Sequence, residues 1–294
     1  MRRWSLGLAL AVCGAALAAQ PHAHRFVCTD NGKGRICVVG PDGTLEWDYP
    51  ARGCQDVWRL PNGNFLFTHI HGVKEVTPDK KVVFEFRCKG EVHSCQPLPD
   101  GAVLIGECGV PRLIEVTRDG RIRKEIRLKT TTRNPHLHIR IARKLPGGNY
   151  LVSFPQEGVV REFDPEGRKV WEVKAGEPFV AVRLPNGNTL IGCGHFGKIV
   201  EVNRKGQVVW QITQADLPGI ALKWNAGVQR LPNGNTVFCN WLGHGQLGKG
   251  PHIVEVTPDK KVVWTFADHK MLRTVSNIMV LDVGGNPLKG EVFR

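Results

Sequence analysis

Past residue 19 the sequence has no apolar run long enough to cross a bilayer. It has no CxxC pair and no Cys/His spacing of the kind that builds a structural zinc site. The net charge is +13, yet the basic residues are scattered through turns and never gather into the run that marks a nucleic-acid stripe. Linkers and low-complexity stretches are absent too, so the chain reads as one domain without a transmembrane segment and without a nucleic-acid partner. Most of the basic residues read as solvated faces, and the excess as a whole favours anionic partners.

The N-terminus is of another kind. Arg2-Arg3, an apolar run from Trp4 to Ala19 and the small-residue site Ala16-Leu17-Ala18 have the three-part form of a secretory signal peptide. This predicts a signal at 1–19, cleavage near Ala18, and a periplasmic or secreted domain over 20–294. Without Arg2 and Arg3, 38 basic residues still face 27 acidic ones. Eight cysteines follow the signal, in a chain bound for an oxidising compartment. Cys28 and Cys37 flank the turn Asn31-Gly32-Lys33-Gly34 symmetrically, which predicts a disulfide across a hairpin; Cys88 and Cys95 flank one short loop and come second.

What the remainder does contain is a repeated turn. Arg59-Leu60-Pro61-Asn62-Gly63-Asn64 returns as Leu98-Pro99-Asp100-Gly101, Leu145-Pro146-Gly147-Gly148-Asn149, Leu184-Pro185-Asn186-Gly187-Asn188 and Leu231-Pro232-Asn233-Gly234-Asn235, with a degenerate copy at Val283-Gly284-Gly285-Asn286. Proline presets the first turn position, Asn or Asp bonds locally, and glycine takes the positive φ, so each copy is a hairpin tip. A second turn alternates with it, at Pro41-Asp42, Pro78-Asp79, Arg118-Asp119, Pro165-Glu166, Arg204-Lys205 and Pro258-Asp259. Shortly after it stands Trp47, Phe84, Trp171, Trp210 or Trp264, with Lys124 breaking the pattern after the third copy. Aromatics at a fixed offset on alternating Val-rich segments read as half-buried strands packing repeat against repeat.

Six units of roughly 46 residues each suit four-stranded propeller blades. The expected fold is therefore all-β: a single six-bladed β-propeller with four antiparallel strands per blade. The first blade lacks its own inner strand, and residues 278–282 at the far end of the chain are expected to supply it and close the ring. Both repeated turns then lie on one rim. The variable connections lie on the other, with long excursions at 129–138, 213–225 and 241–252, and loops on a rigid scaffold are where function concentrates.

All nine histidines past the N-terminal tail map to that variable rim. Inner strands begin nearest the axis, so Gln55, His93, Arg140, Phe179, Ala226 and Asn277 should line the channel mouth, with Asn225 and Ser276 one step earlier. His93 or His138 is the candidate nucleophile or base, and Arg140 the group that steadies a developing anion. Ligand contacts are expected from Gln55, His69, Glu107, His195, Trp224, Asn225, Trp241, His244 and Asn277. The pairs His69-x-His71 and His136-x-His138 suit a divalent metal if extended; no other cofactor is indicated. A monomer is expected.

The runs Arg183 to Leu190 and Glu255 to Trp264 resemble the repeats of exported bacterial propellers of the PQQ-like and arylsulfotransferase type. Asn240-Trp241-Leu242-Gly243-His244-Gly245-Gln246 and Trp264-Thr265-Phe266-Ala267-Asp268-His269 are similar to stretches of planctomycete-type secreted propellers. The first resemblance implies six blades and a channel histidine as sulfuryl acceptor. The His-His-Asp run of that family is absent, and its nearest matches are the single His93 and His138. Three functions follow: a propeller holding an anionic small molecule or glycan at the mouth; an enzyme there, by group transfer or as a lactonase, hydrolase or lyase, with or without a metal; or a protein-interaction scaffold.

Overall fold

The computed structural model describes residues 23–195 and 197–294; the expected signal peptide and cleavage site lie outside them. Among the described residues no helix is long and apolar enough to cross a membrane.

Six four-stranded antiparallel sheets stand around an axis, giving a six-bladed β-propeller. Blade two shows the plan: inner strand Val57–Arg59, then Phe65–His69, Gly72–Val76 and the outer Val82–Arg87, each paired with the next. Each tip glycine, Gly63, Gly101, Gly148, Gly187 and Gly234, has φ between 85° and 92°. A Cβ there would be strained, which is why the repeat keeps glycine.

Blade one is split as expected. Its inner strand is Val275–Val280, laid antiparallel along Phe26–Asp30 with Phe26 opposite Val280. This strand starts and ends earlier than the sequence expectation of 278–282. All six of its residues are buried, and Leu281 only donates its amide to the Arg25 carbonyl at 2.7 Å before the tip begins.

The repeated aromatics bridge blades as anticipated. Trp47 stacks on Phe65 of the next blade, ring centres 4.2 Å apart. The indole N–H groups of Trp47, Trp171 and Trp210 donate to the carbonyls of Pro78, Arg204 and Pro258 in the following blade's outer turn, at 2.7, 2.8 and 2.8 Å.

A second bridge went unread in the sequence. The residue before each outer turn's entry is a buried glutamate in blades two to six: Glu75, Glu115, Glu162, Glu201 and Glu255, each 3–6% exposed. The last Asn of the hairpin tip donates to it at 2.7 Å in four blades, from Asn64, Asn149, Asn188 and Asn235. A cation of the next blade answers the charge: Lys144 on Glu115, Arg183 on Glu162 and Arg230 on Glu201, with Arg118 on Glu75. His24, just ahead of blade one, meets Glu255 at 2.9 Å and so joins the last blade to the first.

Cys28 and Cys37 are directly opposed in register and wholly buried, as free thiols with Sγ atoms 3.6 Å apart. A bond needs about 2.05 Å, a small approach for two Cβ atoms already facing each other. Protein exported into an oxidising compartment should therefore give a Cys28–Cys37 cross-linked peptide on non-reducing mapping. Recovery of both as alkylatable thiols would remove the expectation.

Candidate functional site

The axial channel is filled midway by a buried ionic cluster. Arg143 grips Asp56 with both nitrogens, at 2.7 and 3.1 Å. Arg294 reaches the same carboxylate at 3.2 Å and donates to Asn277 Oδ1 at 2.8 Å. The two guanidinium carbons lie 5.0 and 4.4 Å from the Trp58 ring centre. Burial pulls the Arg294 pKa down to about 10, against the raising influence of Asp56. Asn277, expected at the mouth, belongs to this cluster, donating to Asp56 at 3.1 Å with 1% exposure.

Above the cluster, on the variable rim, a cavity of about 330 Å³ opens between Gln55, His136, Arg140, Glu177, Phe179, Trp224, Trp241 and His244. Phe179 meets Trp224 edge to face at 5.1 Å, and Trp224 meets Trp241 at 5.7 Å. The Arg140 guanidinium carbon lies 4.9 Å from the Phe179 ring centre, a cation–π distance. A side cavity continues past Trp224, Trp241 and His244 to His195 and Lys223. His244 holds a left-handed backbone, φ 51°, which is uncommon for a residue with a Cβ and recurs at ligand clamps.

Arg140 is only 7% exposed, and behind it lies a four-residue network. Glu91 meets His93 Nε2 at 2.9 Å and His136 Nδ1 at 2.7 Å. Arg140 donates to His136 Nε2 at 2.9 Å from one nitrogen and to His93 from the other. An arginine cannot accept and a carboxylate cannot donate. His136 is thereby the Nδ1–H tautomer, an imidazole strung between anion and cation. Burial first, then the Arg140 charge, pull the His93 pKa down to about 4. Burial works to raise the Glu91 pKa, but hydrogen bonds from His136 and His93 outweigh it and hold the carboxyl well below its usual range.

The other sequence candidates are dispersed. His138 turns away and donates Nδ1–H to the Cys108 carbonyl at 2.9 Å. Residues 135–137 form a 3-10 turn with three residues per turn, so His136 and His138 diverge instead of presenting imidazoles on one side. Glu107 is buried, accepting from the Gly90 amide at 2.6 Å and from Arg112 at 2.7 Å. His69 and His71 sit at the blade-two turn, His69 3.9 Å from Glu85 and His71 3.4 Å from the Gly90 carbonyl. His195 packs on Trp224 at 4.7 Å in the side cavity. Asn225 is wholly buried, and neither side-chain polar atom has a partner among the described residues. The sequence reading passed over Glu91; its signal was the spacing Glu91-x-His93 at the start of an inner strand.

Comparison with known proteins adds the ring and little more. No protein-family model and no curated protein sequence matches the chain. Among solved structures, a protein of unknown function from Bacteroides caccae is 29% identical, with a TM-score of 0.80 over 87% of this chain and 98% of that one. A catalytically inactive histidine variant of the virginiamycin B lyase from Staphylococcus aureus, solved with quinupristin, is 15% identical, with a TM-score of 0.59 over 85% and 86%. A nidogen/laminin complex chain is 12% identical, with a TM-score of 0.64 over 87% and 97%. The shared feature is the propeller. At 15% and 12% identity the last two carry the fold alone.

Proposed function

We propose that the mouth cavity binds an anionic small molecule that carries a ring, such as an acidic or sulfated sugar or an aryl anion. The observation that carries this reading is Arg140, a nearly buried guanidinium set among Phe179, Trp224 and Trp241, in a protein of strong positive charge. Planar cations suit carboxylate, sulfate and phosphate, and the indole faces suit a sugar or aryl ring. Export, cleavage near Ala18, a periplasmic or secreted location and a monomeric state belong to the same proposal.

Quenching of tryptophan fluorescence by glucuronate and by p-nitrophenyl sulfate tests it. Saturable quenching by either is expected. Arg140→Gln should weaken it by about 10- to 100-fold, the value of a charge-assisted hydrogen bond, and Trp224→Ala should weaken it while leaving Arg140 in place. No saturable quenching by either anion, or equal affinity in Arg140→Gln, would sink the reading. His93→Ala is a poorer probe, because His93 is 0% exposed and its loss strips partners from Glu91 and Arg140.

A second reading, an enzyme at the same mouth, draws on Glu91 and His136. A base with an orienting partner in hydrogen-bond reach is what catalysis requires beyond binding, and the His136 side chain is half exposed beside the cavity. Group transfer of the arylsulfotransferase kind would need a histidine lone pair that Arg140 now occupies. Chromophore release from aryl sulfates and glycosides, lost in His136→Ala, would favour this reading; inertness toward the whole panel would leave binding.

A further inference from the structure

We propose that Glu91, His93 and His136 form a site for a divalent cation of the zinc class, and that loading it frees Arg140 to bind an anion. The second half rests on the anion-binding reading above; the first does not.

The donor atoms converge. One ring nitrogen each of His93 and His136 and one Glu91 oxygen all lie within 4.8 Å of one another, and Glu91 itself meets His93 at Nε2 and His136 at Nδ1. Bonds of about 2.0–2.2 Å reach a common centre from such positions after small adjustments, and two histidines with a glutamate leave a fourth position open for water or ligand. Separate segments supply the ligands. Glu91 and His93 open the inner strand of blade three, Val92–Pro97. His136 comes from the 3-10 turn Pro135–Leu137, where Asn134 accepts from its amide at 3.1 Å.

The hydrogen bonds around His93 favour an ion over protons alone. Its two ring nitrogens face two acceptors, Glu91 at 2.9 Å from Nε2 and the Ile139 carbonyl at 3.3 Å from Nδ1. A neutral imidazole has one N–H, so one acceptor is left unserved. Arg140 is set against the same ring and donates to it, which holds one nitrogen as an acceptor and disfavours the doubly protonated ring that would serve both acceptors. With a cation on Nε2 the proton sits on Nδ1 and goes to Ile139, the kind of backbone partner that orients ligating histidines. Glu91 then bonds the ion directly, and His136 moves its proton to Nε2, the nitrogen that otherwise accepts from Arg140.

Arg140 pays for this arrangement with its acceptors. Both of its end nitrogens point at histidine nitrogens, which loading converts from acceptors into an N–H on each ring. Like charge adds to the effect, because a divalent ion with one carboxylate still repels a guanidinium. The outlet is the cavity, where Phe179 already faces Arg140 and Glu177 is the carboxylate in the wall. Cation and anion therefore bind cooperatively: the ion releases the guanidinium, and the anion offsets the positive charge the ion brings.

The full chain, stripped with chelator and dialysed, is titrated with zinc, and with cobalt for its absorption bands, in the presence and absence of inorganic sulfate. One zinc per chain is expected, weakened at least about tenfold in Glu91→Gln and in His136→Ala. His136→Ala guards against misfolding in the other variant, since its ring is half exposed. Sulfate should tighten zinc binding by about 5-fold or more, and Arg140→Gln should lose that coupling while still taking up zinc. The site is overturned by an absence of stoichiometric zinc, by equal zinc affinity in both ligand variants, or by loss of zinc on His69→Ala or His71→Ala instead. Zinc uptake that sulfate never alters overturns the coupling. Zinc uptake with no anion bound in either state would leave the metal site standing and remove the anion-binding function.

Discussion

A chain ending at Thr274 should show no cooperative unfolding transition. The missing piece is the inner strand of blade one, Val275–Val280, all of it buried and paired along the whole of Phe26–Asp30. Its loss exposes a full strand edge on the axis side and withdraws Ile278 and Val280 from the core shared with Leu231, Val237 and Trp264 of the last blade. Asn277 and Arg294 leave the axial cluster at the same time. Rings of blades escape open edges only when closed, so the remaining blades have no defined last neighbour. Circular dichroism across a urea gradient checks this. A transition as steep, and at the same midpoint, as that of the full chain would show that closure contributes nothing.

Asp56→Asn is expected to cost about 3–5 kcal/mol, the range for removing one member of a buried ion pair. Asp56 is wholly buried, and it carries bonds from Arg143, Arg294, Asn277 and the Cys95 amide. The substitution keeps the shape and removes the side-chain carboxylate that both guanidinium groups contact. Arg294 is itself 1% exposed and has no water to turn to. The urea midpoint should fall with the slope unchanged, and failure to fold would be the same effect at its limit. A loss under about 1 kcal/mol would mean that the arginines behave as surface charges do.

The architecture was legible because its causes are local. Leu-Pro-x-Gly-type tips and aromatics at a fixed offset need no knowledge of their neighbours, and six of the former with five of the latter sufficed to count blades and to place the closing strand within three residues. The glutamates of the interblade bridge escaped for the opposite reason. Glu75, Glu162 and Glu201 stand beside valine or phenylalanine as any solvated strand residue does, and Arg118, Arg183 and Arg230, which answer their charge, come from another blade. At the mouth, position around the axis correctly brought Gln55, Arg140 and Phe179 together. Depth could not be read that way. His93 faces inward beneath Arg140, Asn277 drops to the axial cluster, and a 3-10 turn exchanges His138 for His136. Glu91 looked like one acid among many until the fold set two imidazoles against it.

The glutamate of one blade and the cation of the next have an evolutionary consequence. Blades two to five each carry an acid that is met by a base of the following blade, so a tandem duplication among them inserts a copy whose partners are already waiting on both sides. Gene-level growth by whole repeats is therefore chemically neutral at the seams from blade two to blade six. The closing junction is built differently: His24 takes the acid of the last blade and a strand from the opposite end of the chain completes the first. An added blade must therefore be accommodated at that closing seam, while the interfaces from blade two to blade six repeat one chemistry.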